Sequence, residues 1–249
     1  MEQYFVDTTI DQDSYILDDK EQFHHIITVL RHQLGDVIYL VDNNTNLFEA
    51  TLANVVGKTA IFDVKKSDIA TTELPIKVTI ACALSKKDKV EWITQKSTEL
   101  GATDIVFFNS QYSVMTWKGN VVDRKLERLQ EIAKNAAQQS KRRMIPKVSY
   151  LNKFADLTKL DADCKLLAYE ESAKNGETSA LDRSLTNEIK SVIGVFGSEG
   201  GVSPDEVNLL QDAGYTSVGL GPRILRAETA PMYLLSVLSY NYELRMNEE

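Results

Sequence analysis

From residue 76 onward the chain repeats one pattern: a short, mainly apolar run, then a stretch whose apolar residues recur at helical spacing. The runs are 76–84, 105–108, 166–169, 192–196 and 217–220. Apolar runs of this length suit strands with both faces buried. Their alternation with helices predicts a parallel sheet covered on each side. Helices are expected at 88–100, at 123–140, briefly after Pro204, and from Ala227 to about residue 242. In the last of these, Ala230, Leu234, Val237 and Leu238 share a face. Residues 1–72 read differently. There 37–41, 47–52 and 60–64 are β-like runs broken by Asp42-Asn43-Asn44 and Gly57-Lys58, the spacing of a small β-barrel or sandwich. One helical piece, from 21 to about 32, interrupts them with Phe23, Ile26, Ile27 and Leu30. Pro75 disfavours helix just before it, so residues 71–75 read as a linker between expected domains 1–72 and 73–249.

Composition narrows the class. The 249 residues are 43% apolar, enough for a substantial core, and no run approaches the length of a membrane span. With no basic-then-apolar leader, the reading is a cytoplasmic protein. Cys82 and Cys164 each lie inside an apolar run and read as buried reduced thiols. His24, His25 and His32 lack metal-spaced partners, so no metal site is expected. The net charge of −8 is unevenly spread: residues 85–145 carry 12 Lys/Arg against 7 Asp/Glu, a basic island of +5 in an acidic chain. That island, dense at Lys86-Lys87-Asp88-Lys89 and at Lys141-Arg142-Arg143, keeps a polyanion partner open.

Two glycine-rich turns end apolar strands of the second half, where parallel sheets place their ligands. Gly197-Ser198-Glu199-Gly200-Gly201 follows the run 192–196. It leads into Ser203-Pro204-Asp205-Glu206, a capping box with proline at the first helical position. Neither a P-loop nor a dinucleotide fingerprint matches. The second turn opens Gly219-Leu-Gly-Pro-Arg-Ile-Leu-Arg-Ala-Glu-Thr-Ala230, which packs two arginines and a carboxylate into a strand-to-helix corner. Glu228 and Thr229 are expected in the first helical turn, where free N–H groups gather. No serine-histidine-aspartate set or hydrolase-like carboxylate pair is apparent.

In this order the chain resembles the 16S ribosomal RNA (uracil-N3) methyltransferase family of the SPOUT class. The carriers are His24-His-Ile-Ile-Thr-Val-Leu-Arg31 with Gly35-Asp36, Asp88-Lys-Val-Glu-Trp-Ile93, Gln95-Lys-Ser-Thr-Glu-Leu-Gly101, Ala136-Ala-Gln-Gln-Ser140 with Arg142, and both glycine turns. Ser198 stands where the family usually has proline. Gln3 and Tyr112 stand at or near positions where it usually has arginine. The resemblance implies a PUA-like N-terminal β-barrel, an α/β C-terminal domain threaded into a trefoil knot, and a homodimer. It implies an S-adenosylmethionine pocket walled by Gly197, Glu199, Gly200, Gly201, Leu220, Gly221, Ile224 and Leu225. Arg226, Arg223 and Glu228 are the expected catalytic groups. The arginines would meet charge developing on uracil oxygens, and Glu228 would either orient an arginine or take a proton. His24, Arg31, Lys86, Lys89 and Arg142 are the expected contacts to 16S ribosomal RNA. Two alternatives stand: a SPOUT methylase for a ribose 2′-hydroxyl or another base, and a non-catalytic RNA-binding assembly factor.

Overall fold

Alternation along residues 47–66 decides the first sheet. Phe48, Ala50 and Leu52 point to the same core as Ala60, Phe62 and Val64. The computed structural model, which describes residues 1–169 and 180–245, orders the strands β1 (Gln3–Phe5), β2 (Ser14–Leu17), β3 (Val37–Val41), β4 (Leu47–Val56) and β5 (Thr59–Lys66) as β1-β3-β4-β5-β2. All neighbours are antiparallel except β1 and β3. Gly57, at φ +62°, takes the first position of the two-residue turn joining β4 and β5. The expected helix is α1 (Lys20–Phe23), capped by Asp19 and continued by a wider π-helical stretch, His24–Val29. It stops at Arg31, whose φ of +59° is left-handed, and the His32 N–H closes on the Ile26 carbonyl at 3.1 Å. β1 and β2, at three and four residues, were too short to show as a pattern.

The second sheet is parallel throughout. Its strands are β6 (Lys77–Ala83), β7 (Asp104–Phe108), β8 (Lys147–Leu151), β9 (Cys164–Ala168), β10 (Ser191–Phe196) and β11 (Thr216–Val218), in the order β11-β9-β10-β6-β7-β8. Successive residues feed opposite cores. Val78, Ile80, Cys82, Ile105 and Phe107 pack with α2 (Lys87–Glu99), α3 (Val121–Gln139) and the last helix. Ala81, Ala83, Val106, Phe108, Ile193 and Val195 pack on the other face with Val207, Leu210 and Tyr215. The remaining α-helices among the described residues are a short α4 (Ala180–Ser184), α5 (Pro204–Asp212) and α6 (Ala230–Ser239). Cys82 and Cys164 are both buried as free thiols.

Two compact units result: 1–73 with 137–144, and 74–136 with 145–249. The final helix starts later than expected. Pro231 fits only a first turn, so α6 begins at Ala230 and leaves Glu228 in the preceding turn, where the Thr229 and Ala230 N–H groups close on the Arg226 carbonyl.

Candidate active site

β9 is flanked by β10 on one side and β11 on the other. The turns leaving β10 and β11 therefore straddle the carboxyl end of β9 and enclose a cleft of about 550 Å³. Ala168 and Tyr169 form one part of its wall, the turn 197–201 with Val202 a second, and residues 224–227 with Ala230 a third.

The first glycine turn is held by its own hydrogen bonds. Gly201, at φ +79°, donates to the Ser198 carbonyl at 2.9 Å, and the buried Ser198 hydroxyl accepts from the Gly200 N–H at 3.3 Å. Hydrogen bonding thus supplies here the rigidity that a proline ring would give. The absent side chains of this turn make room for the protein itself. A Cβ on Gly197 would lie 2.8 Å from the Gly201 carbonyl carbon, and one on Gly200 would lie 2.9 Å from the Tyr112 Cβ. Tyr112 therefore packs on the turn as a wall support.

Glu206 reinforces this wall. It forms the expected capping box with Ser203, its Oε2 accepting from the Ser203 N–H at 3.0 Å. Its Oε1 accepts from the Gln111 N–H at 2.7 Å, tying the loop after β7 to the start of α5. The box was legible in the sequence, whereas the tether across 95 residues was not.

The charge at the cleft is a relay of three groups. Lys89, on the first turn of α2, donates from Nζ to Glu199 Oε1 at 2.8 Å and lies 3.1 Å from Glu228 Oε2. The Glu199 hydrogen bond leads the effects that hold the Lys89 ammonium above its ordinary value. Burial pushes the Glu199 carboxyl up, but the Lys89 hydrogen bond and charge outweigh it and hold the group below the usual range.

The expected site residues divide accordingly. Gly197, Glu199, Gly200, Gly201, Ile224, Leu225 and Arg226 line the cleft, and Glu228 joins it through Lys89. Leu220 and Gly221 stand outside its lining; Gly221, at φ +85°, serves the turn through its backbone conformation. Arg223 is exposed and also outside the lining. Of the expected RNA contacts, His24, Arg31 and Lys86 are exposed. Lys89 belongs to the cleft instead. Arg142 differs from these: its side chain is 2% exposed and paired with Glu73. Gln3, nearby, is buried and donates to the Arg142 carbonyl at 2.6 Å.

Comparison with known proteins follows these lines. An RNA methyltransferase domain model matches residues 72–239, and an RNA methyltransferase PUA domain model matches residues 17–65. The ribosomal RNA small subunit methyltransferase E of Bacillus subtilis is 39% identical over the whole of both chains. This chain belongs to the ribosomal RNA small subunit methyltransferase E family. The relative of that name from Synechocystis is 32% identical over 88% of this chain and 70% of its own length. Among solved structures, a methyltransferase from Legionella pneumophila with bound S-adenosylmethionine is 26% identical. It covers 96% of this chain and 97% of its own, with a TM-score of 0.83. The chain is thus an RNA methyltransferase of PUA-plus-α/β architecture, and among the described residues no helix is long and apolar enough to cross a membrane.

The cleft suits S-adenosylmethionine on its own chemistry. Its volume lies in the range of small-ligand sites. Phe196, Val202 and Leu225 give apolar walls for a base, while the 197–201 turn offers backbone groups and Glu199 a carboxylate for a cationic ligand.

Proposed function

We propose that this protein transfers a methyl group from S-adenosylmethionine to N3 of a uridine in 16S ribosomal RNA of the small ribosomal subunit. The observation that carries the reading is the convergence of the 197–201 turn, Arg226 and the Lys89–Glu228 contact on one cleft, in a chain of this family. When bound, S-adenosylmethionine supplies an electrophilic methyl on sulfur. The protein supplies position and charge. Uracil N3 carries a proton that must leave, and negative charge then spreads to the neighbouring carbonyl oxygens. Arg226 lines the cleft and is exposed within it, in place to meet that charge. Glu228 pairs with Lys89 rather than with an arginine among the described residues, which favours proton acceptance over orienting an arginine as its role. Lys89 fixes its carboxylate for that step. The target uridine must leave its stack to reach the cleft.

The reading extends to the assembly and the fold. Exposed Ile224, Tyr240 and Leu244 support a homodimer, expected in light scattering at twice the chain mass of 28.0 kDa. The trefoil crossing belongs to the same proposal, as do the division at residues 72/73, with the first part serving RNA, and a cytoplasmic location beside the ribosome. Nucleoside mass analysis of 16S ribosomal RNA after reaction with the protein and S-adenosylmethionine tests the chemistry. 3-Methyluridine is the expected product. A 2′-O-methyl nucleoside, or no product, would refute it.

A further inference from the structure

On the other side of the α2 N-terminus from Lys89 lies a second cleft, of about 470 Å³. Positions 87 and 91 are one turn apart on a shared helix face, and position 89 points roughly the opposite way. The two clefts are therefore separated by about one helix width, ~10 Å. Four cations line the second cleft, Lys87, Arg124, Lys125 and Arg128, against the single carboxylate of Glu91. Glu91 is already engaged: it accepts from Arg128 at 2.7 and 3.1 Å and lies 3.8 Å from Lys87. Among the described residues, neither Arg124 nor Lys125 has an ion-pair partner. Lys125 is instead held 4.9 Å over the ring of Trp117, which is buried between Phe107 and Tyr150. A rigid aromatic platform thus fixes one ammonium at the cleft.

An independent sign comes from Ser85. It is 1% exposed and lines this cleft, and its hydroxyl oxygen meets no hydrogen-bond partner. A buried hydroxyl left in that state calls for a ligand. The N-cap residue of α2, Lys86, makes no side-chain cap, so the first N–H groups beside Ser85 keep their affinity for an anion. The site therefore offers cations, one free hydroxyl and uncapped amides to its ligand. No Asn or Gln lines it and its one carboxylate is spent, so it presents donors and positive charge with no free acceptor, the complement of a phosphate. Groups of this kind position a nucleic acid through its backbone.

We infer that this cleft holds a backbone phosphodiester of the RNA substrate, clamping the strand one helix width from the methyl-transfer cleft. The inference rests on the proposed RNA methylation and gives that reaction a substrate-positioning site. It also relocates the function of the basic island. Lys89 and Arg142 are committed to carboxylates, while Arg124 and Lys125 remain available.

The test uses the full-length protein, a 16S ribosomal RNA fragment and filter binding across a salt series, with S-adenosylmethionine titrated separately by calorimetry. Arg124→Ala/Lys125→Ala is expected to weaken RNA binding at least tenfold. It should also flatten the plot of log K against log salt by about one counterion, with cofactor affinity kept. Ser85→Ala is expected to weaken binding by a smaller factor at unchanged slope, because a hydroxyl releases no counterion. Arg124→Ala alone, which leaves the Lys125–Trp117 packing in place, carries the test should the double variant lose its fold. Wild-type affinity and slope in Arg124→Ala and Ser85→Ala would overturn the inference. So would uridine monophosphate binding that depends on Arg124 and is not displaced by RNA, since the cleft would then serve a free nucleotide. A wild-type protein that binds RNA through Arg124 yet forms no 3-methyluridine would refute the proposed reaction and leave the phosphate site standing.

Discussion

Glu206 should be worth more than a helix cap, and the structure says by how much. Its carboxylate is buried and divides its oxygens between two backbone donors, the Ser203 N–H at 3.0 Å and the Gln111 N–H at 2.7 Å. A hydrogen bond to a charged group contributes about 1.5–3 kcal/mol, and a buried donor left unmade costs a similar amount. Gln111 itself is exposed, so water replaces part of its loss. Glu206→Ala is therefore expected to cost about 3 kcal/mol, a fall in Tm of about 6–12 °C for a chain of this size. Ser203→Ala removes only the helix half of the box, at about 1 kcal/mol, and leaves the Gln111 tether intact. Glu206→Gln keeps one carbonyl acceptor and turns an amide N–H toward the other donor, so its cost should fall between the two. Denaturant unfolding of the three variants checks the order. Function should follow the tether and not the cap. Gln111 precedes Tyr112, which supports Gly200 at the cleft wall. Cofactor affinity should thus drop in Glu206→Ala and stay near wild type in Ser203→Ala. Equal unfolding costs for Ser203→Ala and Glu206→Ala, or a destabilised Glu206→Ala with unaltered cofactor affinity, would refute the reasoning.

Three further outcomes are expected. Arg226→Ala should lower single-turnover methylation by about a hundredfold to a thousandfold while calorimetry shows cofactor affinity kept; a loss confined to cofactor binding would make Arg226 a pocket residue. Gly221→Ala finds open space, its Cβ meeting only the Tyr233 hydroxyl at 3.6 Å, but the φ of +85° should cost it about 1–2 kcal/mol in an unfolding titration, and a neutral variant would count against a conformational role. Glu199 is held below its ordinary value of 4.5, so its pairing stabilises the fold above that pH and the benefit disappears as pH falls through the lower folded value. The difference in Tm between wild type and Glu199→Gln should accordingly be present at neutral pH and shrink toward zero in acid, and a difference that grows in acid would reverse the assignment.

What the sequence disclosed tracks how local each cause is. The strands β6, β7, β9 and β10 were legible because most of their residues are buried on both faces of the sheet, so apolar residues dominate them. β8 was not, since its Lys147 is exposed and Ser149 to Leu151 are only half-buried at the sheet edge. The glycine turns were visible as turns, but the reason for each glycine was not. Gly200 makes room for Tyr112, 88 positions earlier, and no spacing rule connects the two. The start of α6 was misplaced because apolar periodicity runs through Ala227 while the proline ring at 231 sets the true boundary.

Charge was the least local property of all. Lys86, Lys89 and Arg142 look alike in the chain, as cations in a basic stretch, yet each meets a different environment. Lys89 lies against carboxylates contributed from 110 and 139 residues away, and Arg142 is buried on Glu73. A cation's availability to RNA depends on whether the fold has already given it a partner, so a net charge of +5 over residues 85–145 counts candidates without ranking them. Only the pairing ranks them, and it selects Arg124 and Lys125 over two of the residues the motif favoured. The same step explains how an acidic protein serves a polyanion. The carboxylates of the second unit pair with Lys89 at the first cleft and, among the described residues, leave Arg124 and Lys125 without an ion-pair partner at the second. Under the proposed function α2 is a divider, with a neutralised lysine toward the methyl donor and free positive charge toward the backbone of the acceptor.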